Sequence, residues 1–354
     1  MKLALRKENE EFEIRKGIRS MPRPSIKART RDFKDIASEY FAWGEAQGGR
    51  GGRPWSKSHT RMRHAQLNWW EEQLQLECLG NLDGVLPEME AHLRDLKNQD
   101  RSGKTIQSYA ETLQGFCRWC VKRKYLDEDP LQNLCAFDTT PKTVRRAMNL
   151  AEINRLLCVV PADRRLLYQV AICSGLRAGE LRSLTIDDLD VQRCGLCLRS
   201  KWTKNRKPGF QPLPGILVED LVNFAASGTA TRLYAKVYAR KDTTCIAPER
   251  PLLYLPSNTA RPFDGDLKAA EIPKCTQEGK LDFHALRVTY VTLLLQAGAY
   301  VKEAQSLARH SDPKLTMNVY ARAIPERLTQ IVQTVGQPIL EDKRITQAQC
   351  SAQR

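Results

Sequence analysis

A chain of 354 residues is long enough for two domains with separate cores. Its 42% hydrophobic and 27% charged content is ordinary for a soluble globular protein. The charge is not ordinary: 56 Lys and Arg against 41 Asp and Glu leave +15, which favours a polyanionic partner, whether DNA, RNA or a membrane surface.

The opening MKLALRKENEEFEIRK lacks the apolar core and cleavage site of a secretory signal. No run approaches the roughly 20 apolar residues of a bilayer span. A cytoplasmic, nucleoid-associated protein without a membrane partner is therefore expected. Residues 1–31 are basic, poor in large apolar residues and interrupted by Pro22 and Pro24, which reads as a flexible arm. Such an arm is either a solubilising tail or an extra contact to the polyanion.

From residue 32 to 135 the pattern is helical. FKDIASEYFAWGEAQ forms a first helix, ended by the Gly-rich run 48–52. A second begins at the capping residue Ser56 and carries Leu67, Trp70, Leu74 and Leu76. A third covers about Val85 to Lys97. The fourth is clearest, with Ile106, Tyr109, Leu113, Phe116, Cys117, Cys120 and Val121 mostly three or four residues apart. Between Arg50 and Arg63 stand five cations, Arg50, Arg53, Lys57, Arg61 and Arg63, and no acidic residue. They form either a solvated face or, beside a Gly-rich loop at a helix start, a phosphate-binding surface.

Residues 136–148 lack helical periodicity and contain Pro141, as a linker would. A second domain is expected over 149–335. Helices are predicted at Leu150–Val160, Arg164–Cys173 and from Arg177 to Leu184, then short strands at Leu189–Trp202 and Phe210–Pro214 around a polar turn. Further helices follow near Val218–Ala226, Phe283–Ala297, Val301–His310 and Pro313–Tyr320, ahead of a polar tail over 336–354. The fold class is mainly α with a small β-sheet or hairpin.

Eleven cysteines, an odd number scattered through predicted elements, suit reduced thiols better than a disulfide framework. The pairs Cys117/Cys120 and Cys194/Cys197 have zinc-ligand spacing, but they lie far apart on either side of the domain boundary. Core packing accounts for them better, and no metal is expected.

Four spots in the second domain carry side chains suited to phosphate chemistry. Arg177 follows a Ser-Gly turn at a helix start, with Glu180 one turn on to hold it. Lys204, Arg206 and Lys207 occupy the strand-linking turn. His284 and Arg287 lie one helical turn apart. His310 precedes Pro313, and Tyr320 follows in the last helix. Singly, each has a plainer reading: a surface ion pair, a solvated lysine, a capping histidine, a core aromatic. Their joint order within a basic domain is what carries information.

That order resembles the tyrosine recombinases, or phage integrases. Their boxes run T/S-G-L-R-x-x-E-L, a hairpin lysine, H-x-x-R, then H or W, then tyrosine; the matching positions are Arg177 with Glu180, Lys204, His284 with Arg287, His310 and Tyr320. Ser102–Leu134, which includes Asp129-Pro130-Leu131, resembles the end of the family's helical core-binding domain, so the resemblance spans about 32–330. Two departures stand out. Ala308-Arg309-His310 replaces the frequent Leu-Gly-His, and one additional residue separates His310 from Tyr320. Lys201 and Lys207 lie close to Lys204, but the alignment of Thr203 through Leu213 favours Lys204.

The resemblance implies a SAM-like helical core-binding domain followed by a mixed α+β catalytic domain. It implies cleavage and rejoining of DNA by Tyr320 through a 3′-phosphotyrosine, without ATP, metal or other cofactor. Arg177 and Arg287 would clamp the phosphate, Lys204 would protonate the leaving 5′-hydroxyl, and His284 and His310 would assist by hydrogen bonding or proton transfer. Glu180 would orient the site. The expected partner is a double-stranded recombination site of a mobile element, bound by a homotetramer on paired sites, with a monomer in the free state. A catalytically inactive DNA-binding accessory protein and a type IB topoisomerase are the alternatives.

Overall fold

A computed structural model describes residues 16, 28–201, 207–239, 247–323, 332 and 337, with the backbone alone at 238–239 and 320–323. The chain divides into two compact units, residues 1–142 and 143–354, mostly helical with small antiparallel sheets.

Unit 1 is built from α1 (Phe33–Gln47), α2 (Lys57–Gln73), α3 (Leu86–Asn98) and α4 (Gly103–Lys122). Side-chain caps start three of them: Asp32 accepts from the Lys34 amide, Ser56 from His59 and Ser102 from Thr105. Burial follows helical spacing on α4, where Ile106, Ala110, Leu113, Phe116, Cys117 and Cys120 all face the core. Phe116 meets Phe33 edge-on at 5.1 Å between ring centroids. Trp70, fully buried, donates its indole N–H to the Tyr109 carbonyl at 2.9 Å, so its one polar atom is satisfied.

Unit 2 begins with α5 (Leu150–Val159), α6 (Ala162–Ser174) and the short α7 (Ala178–Ser183). A sheet follows in the order β1 (Leu189–Asp190), β2 (Gly195–Leu198), β3 (Gly209–Pro212), antiparallel throughout, with Leu196 opposite Gln211. The expected first strand, Leu189–Trp202, is thus two strands. Cys194 at φ 49° turns the chain between them. That position leaves Cys194 exposed and Cys197 half-buried, so core packing holds for Cys117 and Cys120 but not for Cys194.

Helices α8 (Gly215–Ala226), α9 (Thr229–Ala239) and α10 (Ala260–Ala269) come next, then the hairpin β4 (Cys275–Thr276) and β5 (Gly279–Lys280). Neither α9, α10 nor this hairpin was expected. Pro262 and Gly265 disguise α10, yet Pro262 falls in the first turn, where its missing N–H costs nothing. The unit closes with α11 (Ala285–Gln296), α12 (Val301–Ala308) and α13 (Pro313–Ala323). Its main core gathers Leu156, Tyr168, Val170, Leu196, Leu221, Phe263 and Leu286, and a smaller cluster joins Tyr290, Val291 and Leu295 to Ala304 and Ala308.

The units divide between Lys142 and Thr143, so the second half of the expected linker belongs to unit 2. Val144–Arg146 adds to the β4–β5 hairpin, with Lys280 N–H donating to the Val144 carbonyl at 2.8 Å and Arg146 N–H to the Lys280 carbonyl at 3.2 Å. The buried Arg146 forks onto Glu152 through two 2.8 Å hydrogen bonds, and Met148 is buried two residues on. An extended segment buries alternate positions, and here one of them is a paired arginine, which conceals the pattern from a search for apolar periodicity.

Candidate active site

The site grows from the end of α6. Gly175 caps that helix at φ 59°, a left-handed conformation that glycine adopts without a Cβ clash. A Cβ there would lie 2.3 Å from the Tyr290 ring. Gly175→Ala is therefore expected to destabilise the protein by about 1–3 kcal/mol, read as a lowered melting temperature. The turn delivers Arg177 to the N-cap of α7. Its backbone N–H donates to Glu180 Oε2 at 2.9 Å and its Nη1 to Oε1 at 3.0 Å.

Glu180 is 2% exposed, and a third donor reaches it: Arg309 Nη2, 2.6 Å from Oε2. Burial alone would raise its carboxyl, but Arg309 and then Arg177 hold it below the usual carboxylate range. Arg309 stands outside the marked residues of the family pattern. It ends α12 at φ 52° without being glycine, a conformation costing about 1–2 kcal/mol, and its side chain is only 14% exposed. The signal was present in the replacement of Gly by Arg in the Leu-Gly-His box.

Arg287 is 3% exposed on α11. Its Nη1 donates to the Gly175 carbonyl and its Nη2 to the Ala308 carbonyl, which ties the turn before Arg177 to the turn that presents Arg309 and His310. Each terminal nitrogen keeps a second N–H. Desolvation, and then Arg177, draws its pKa down to about 9, so it remains a cation at neutral pH. His284 caps α11, and its carbonyl accepts the Arg287 N–H at 3.1 Å. Its imidazole keeps solvent access, but partial desolvation, then Arg145 and Arg287, lower its proton affinity.

His310 Nδ1 is 2.8 Å from the buried Thr316 hydroxyl on α13, which fixes the ring and leaves Nε2 available. Desolvation, then Arg287 and Arg177, depress its pKa to about 4. Arg177 and Arg287 thus lower the proton affinity of both His284 and His310, and the structure brings these four together around Glu180 and Arg309.

The depressed His310 has a consequence for stability. The folded state prefers the neutral ring, so its contribution is complete above about pH 6.5 and is lost as the pH falls toward 4. Urea unfolding is expected to show a loss of about 1–3 kcal/mol from this ring across that window, and His310→Gln removes that share while His284, depressed in the same way, keeps its own.

Tyr320 lies on α13, and its side chain is outside the described residues. Lys204 and Arg206 are also outside them, in the segment joining β2 to β3. Lys207 is exposed just before β3. That strand is anchored to α11, because buried Gln211 donates to the Tyr290 hydroxyl at 3.1 Å. The β2–β3 hairpin is thereby fixed to the helix that carries Arg287.

In unit 1, Arg50, Arg53, Lys57 and Arg61 are exposed. Arg63 differs: its Nη1 donates to the Glu111 carbonyl at 2.8 Å and its Nε to His59 at 3.3 Å, so it ties α2 to α4. Of the five cations, it is the one with an internal structural task.

Residues 138–327 match the model of the phage integrase family. The chain belongs to the phage integrase family. Members of this tyrosine recombinase family are DNA strand-cleaving and rejoining enzymes, and the chain is one of them. It is 25% identical over 267 residues to the tyrosine recombinase XerD of Agrobacterium fabrum, covering 70% of this chain and 79% of that protein. It is 24% identical over 279 residues to a XerC-like tyrosine recombinase of Caldanaerobacter subterraneus, covering 70% of each. Among solved structures, a lambda integrase dimer bound to a COC′ core site is similar in fold, with a TM-score of 0.59 at 18% identity over 82% of this chain and 95% of that one. The Tn1549 transposon integrase in complex with transposon right end DNA is also similar, with a TM-score of 0.56 at 16% identity over 86% of this chain and 100% of that one.

Proposed function

We propose that this tyrosine recombinase is site-specific, cutting and rejoining duplex DNA through a 3′-phosphotyrosine to integrate or excise a mobile element. One observation supports the reading above the others: Arg177, His284, Arg287 and His310 converge on a single carboxylate-braced site in the unit whose last described helix carries Tyr320.

The Tyr320 oxygen attacks the scissile phosphorus as its proton passes to a neutral imidazole, His284 or His310, and the bond from phosphorus to the 5′-oxygen breaks. Lys204 delivers a proton to that oxygen, which departs as a hydroxyl. The remaining N–H groups of Arg177 and Arg287 face the charge that develops on the non-bridging oxygens, a role that a planar guanidinium fills better than an ammonium. Neutral imidazoles at His284 and His310 can donate one hydrogen bond or take one proton, and the cations around them keep them neutral. The phosphotyrosine conserves the bond energy, so a second 5′-hydroxyl reseals the strand without ATP. Arg50, Arg53, Lys57 and Arg61 serve as phosphate contacts of the helical unit, with Arg206 and Lys207 near the cut. A homotetramer on paired sites is in keeping with the lambda integrase tetramer bound to a Holliday junction.

The test is covalent capture. Nicked duplexes with a randomised core are incubated with the full chain, and protein–DNA adducts that survive denaturation are selected and sequenced. An enriched core and a DNA adduct on Tyr320 are expected. Adducts absent from every duplex would sink the proposal.

A further inference from the structure

We propose that Arg309 is a third phosphate-binding guanidinium of this site, donating its Nη1 to a non-bridging oxygen of the scissile phosphate. The inference rests on the phosphotyrosine reading above and adds a residue to it. Three observations carry it. Arg309 Nη2 is engaged by Glu180, the carboxylate that also braces Arg177, so the two guanidiniums are held by one anchor. Arg309 Nη1 is shut off from solvent and has no acceptor among the described residues. A buried N–H on a cation is costly to leave unmade, and the fitting partner is an anion that arrives with the substrate and is met once the guanidinium turns about its Glu180 contact to bring Nη1 to the surface. The backbone adopts an unfavourable left-handed conformation at Arg309, immediately before His310, and the Glu180 ion pair holds its side chain there.

Charge balance points the same way. Arg177, Arg287 and Arg309 against Glu180 leave the inner cluster at +2 with both histidines neutral. A phosphodiester brings one negative charge and the phosphorane at the transition state two. Arg309 adds one positive charge beside a phosphate whose negative charge grows from one to two at the transition state, so its effect belongs on the rate of cleavage more than on DNA affinity.

The experiment compares wild type, Arg309→Gly and Arg309→Lys on the captured nicked duplex and on the same duplex with a methylphosphonate at the scissile position. The methyl group replaces one non-bridging oxygen and removes the charge. Glycine suits the left-handed backbone, and lysine keeps a cation should the glycine variant melt early. On the phosphodiester, Arg309→Gly is expected to form adduct about 100-fold more slowly than wild type, with DNA affinity changed less than threefold. On the methylphosphonate, that deficit should shrink to within about threefold, and Arg309→Lys should lie between the two on the phosphodiester. An equal deficit on both substrates would mean that Arg309 acts only through Glu180, and no deficit would mean that it is structural; either overturns the proposal. Wild-type adducts that Tyr320→Phe cannot form would leave the phosphotyrosine reading standing in both cases.

Discussion

Replacing Tyr320 with Phe will leave DNA binding within about twofold of wild type and abolish the covalent adduct. The change deletes one oxygen and keeps the ring, so the packing of α13 against α11 and α12 should survive. No arginine of the site can replace the missing nucleophile, because a guanidinium lacks a lone pair for attack, and a lysine or histidine adduct would be a phosphoramidate, told apart from a phosphotyrosine by its lability in acid. The expected loss is the whole of strand cleavage, at least about 10⁴-fold, in keeping with removal of a covalent catalyst. Electrophoretic mobility shift measures the binding, and adduct formation under denaturing conditions measures the chemistry. Residual adduct in Tyr320→Phe would place the nucleophile elsewhere.

Arg287→Ala has the second largest expected effect, and it combines two losses. The buried guanidinium satisfies the carbonyls of Gly175 and Ala308, so its removal leaves two buried acceptors unpaired, at a cost of about 2–4 kcal/mol. It also removes a cation from the phosphate site, expected to slow cleavage by about 10²–10³-fold beyond any effect of unfolding. Arg287→Lys separates the two. An ammonium restores the charge but cannot span two carbonyls in the fixed fork of a guanidinium. Stability by urea unfolding should therefore recover less than half of the loss, and cleavage should stay at least about tenfold below wild type. Full recovery of both by lysine would show that charge alone matters, against the bridging role of the fork.

These residues differ in how far the sequence reveals them. The α4 pattern is legible because local periodicity dictates which face is buried, and Ile106 through Cys120 occupy the positions expected of them. The Ser174–Glu180 box is legible for the same reason, since the left-handed Gly175 and the Glu180 cap are local events within one turn. By contrast, α10 is hidden by Pro262 and Gly265: Pro262 is harmless in the first turn, and the mid-helix cost of Gly265 is offset by burial of Phe263 and Leu267. The segment Val144–Met148 reads as linker because its buried side chains include Arg146, acceptable inside only because Glu152 pairs with it. Nothing in the local sequence announces that partner.

The sequence by itself determined the charge, the helical periodicity of the first unit and the order of Arg177, Lys204, His284, Arg287, His310 and Tyr320. Motif order survives in one dimension because each box is a short local structure. Only the tertiary structure decided how the boxes hold one another: Arg287 bridging Gly175 to Ala308, Thr316 fixing His310, Gln211 docking β3 on Tyr290, and Arg309 sharing Glu180 with Arg177. Those contacts join residues between 6 and 129 positions apart, and most are hydrogen bonds to carbonyls or to a buried carboxylate. Such bonds depend on where the backbone comes to lie, and that is settled by packing of the whole unit around its core.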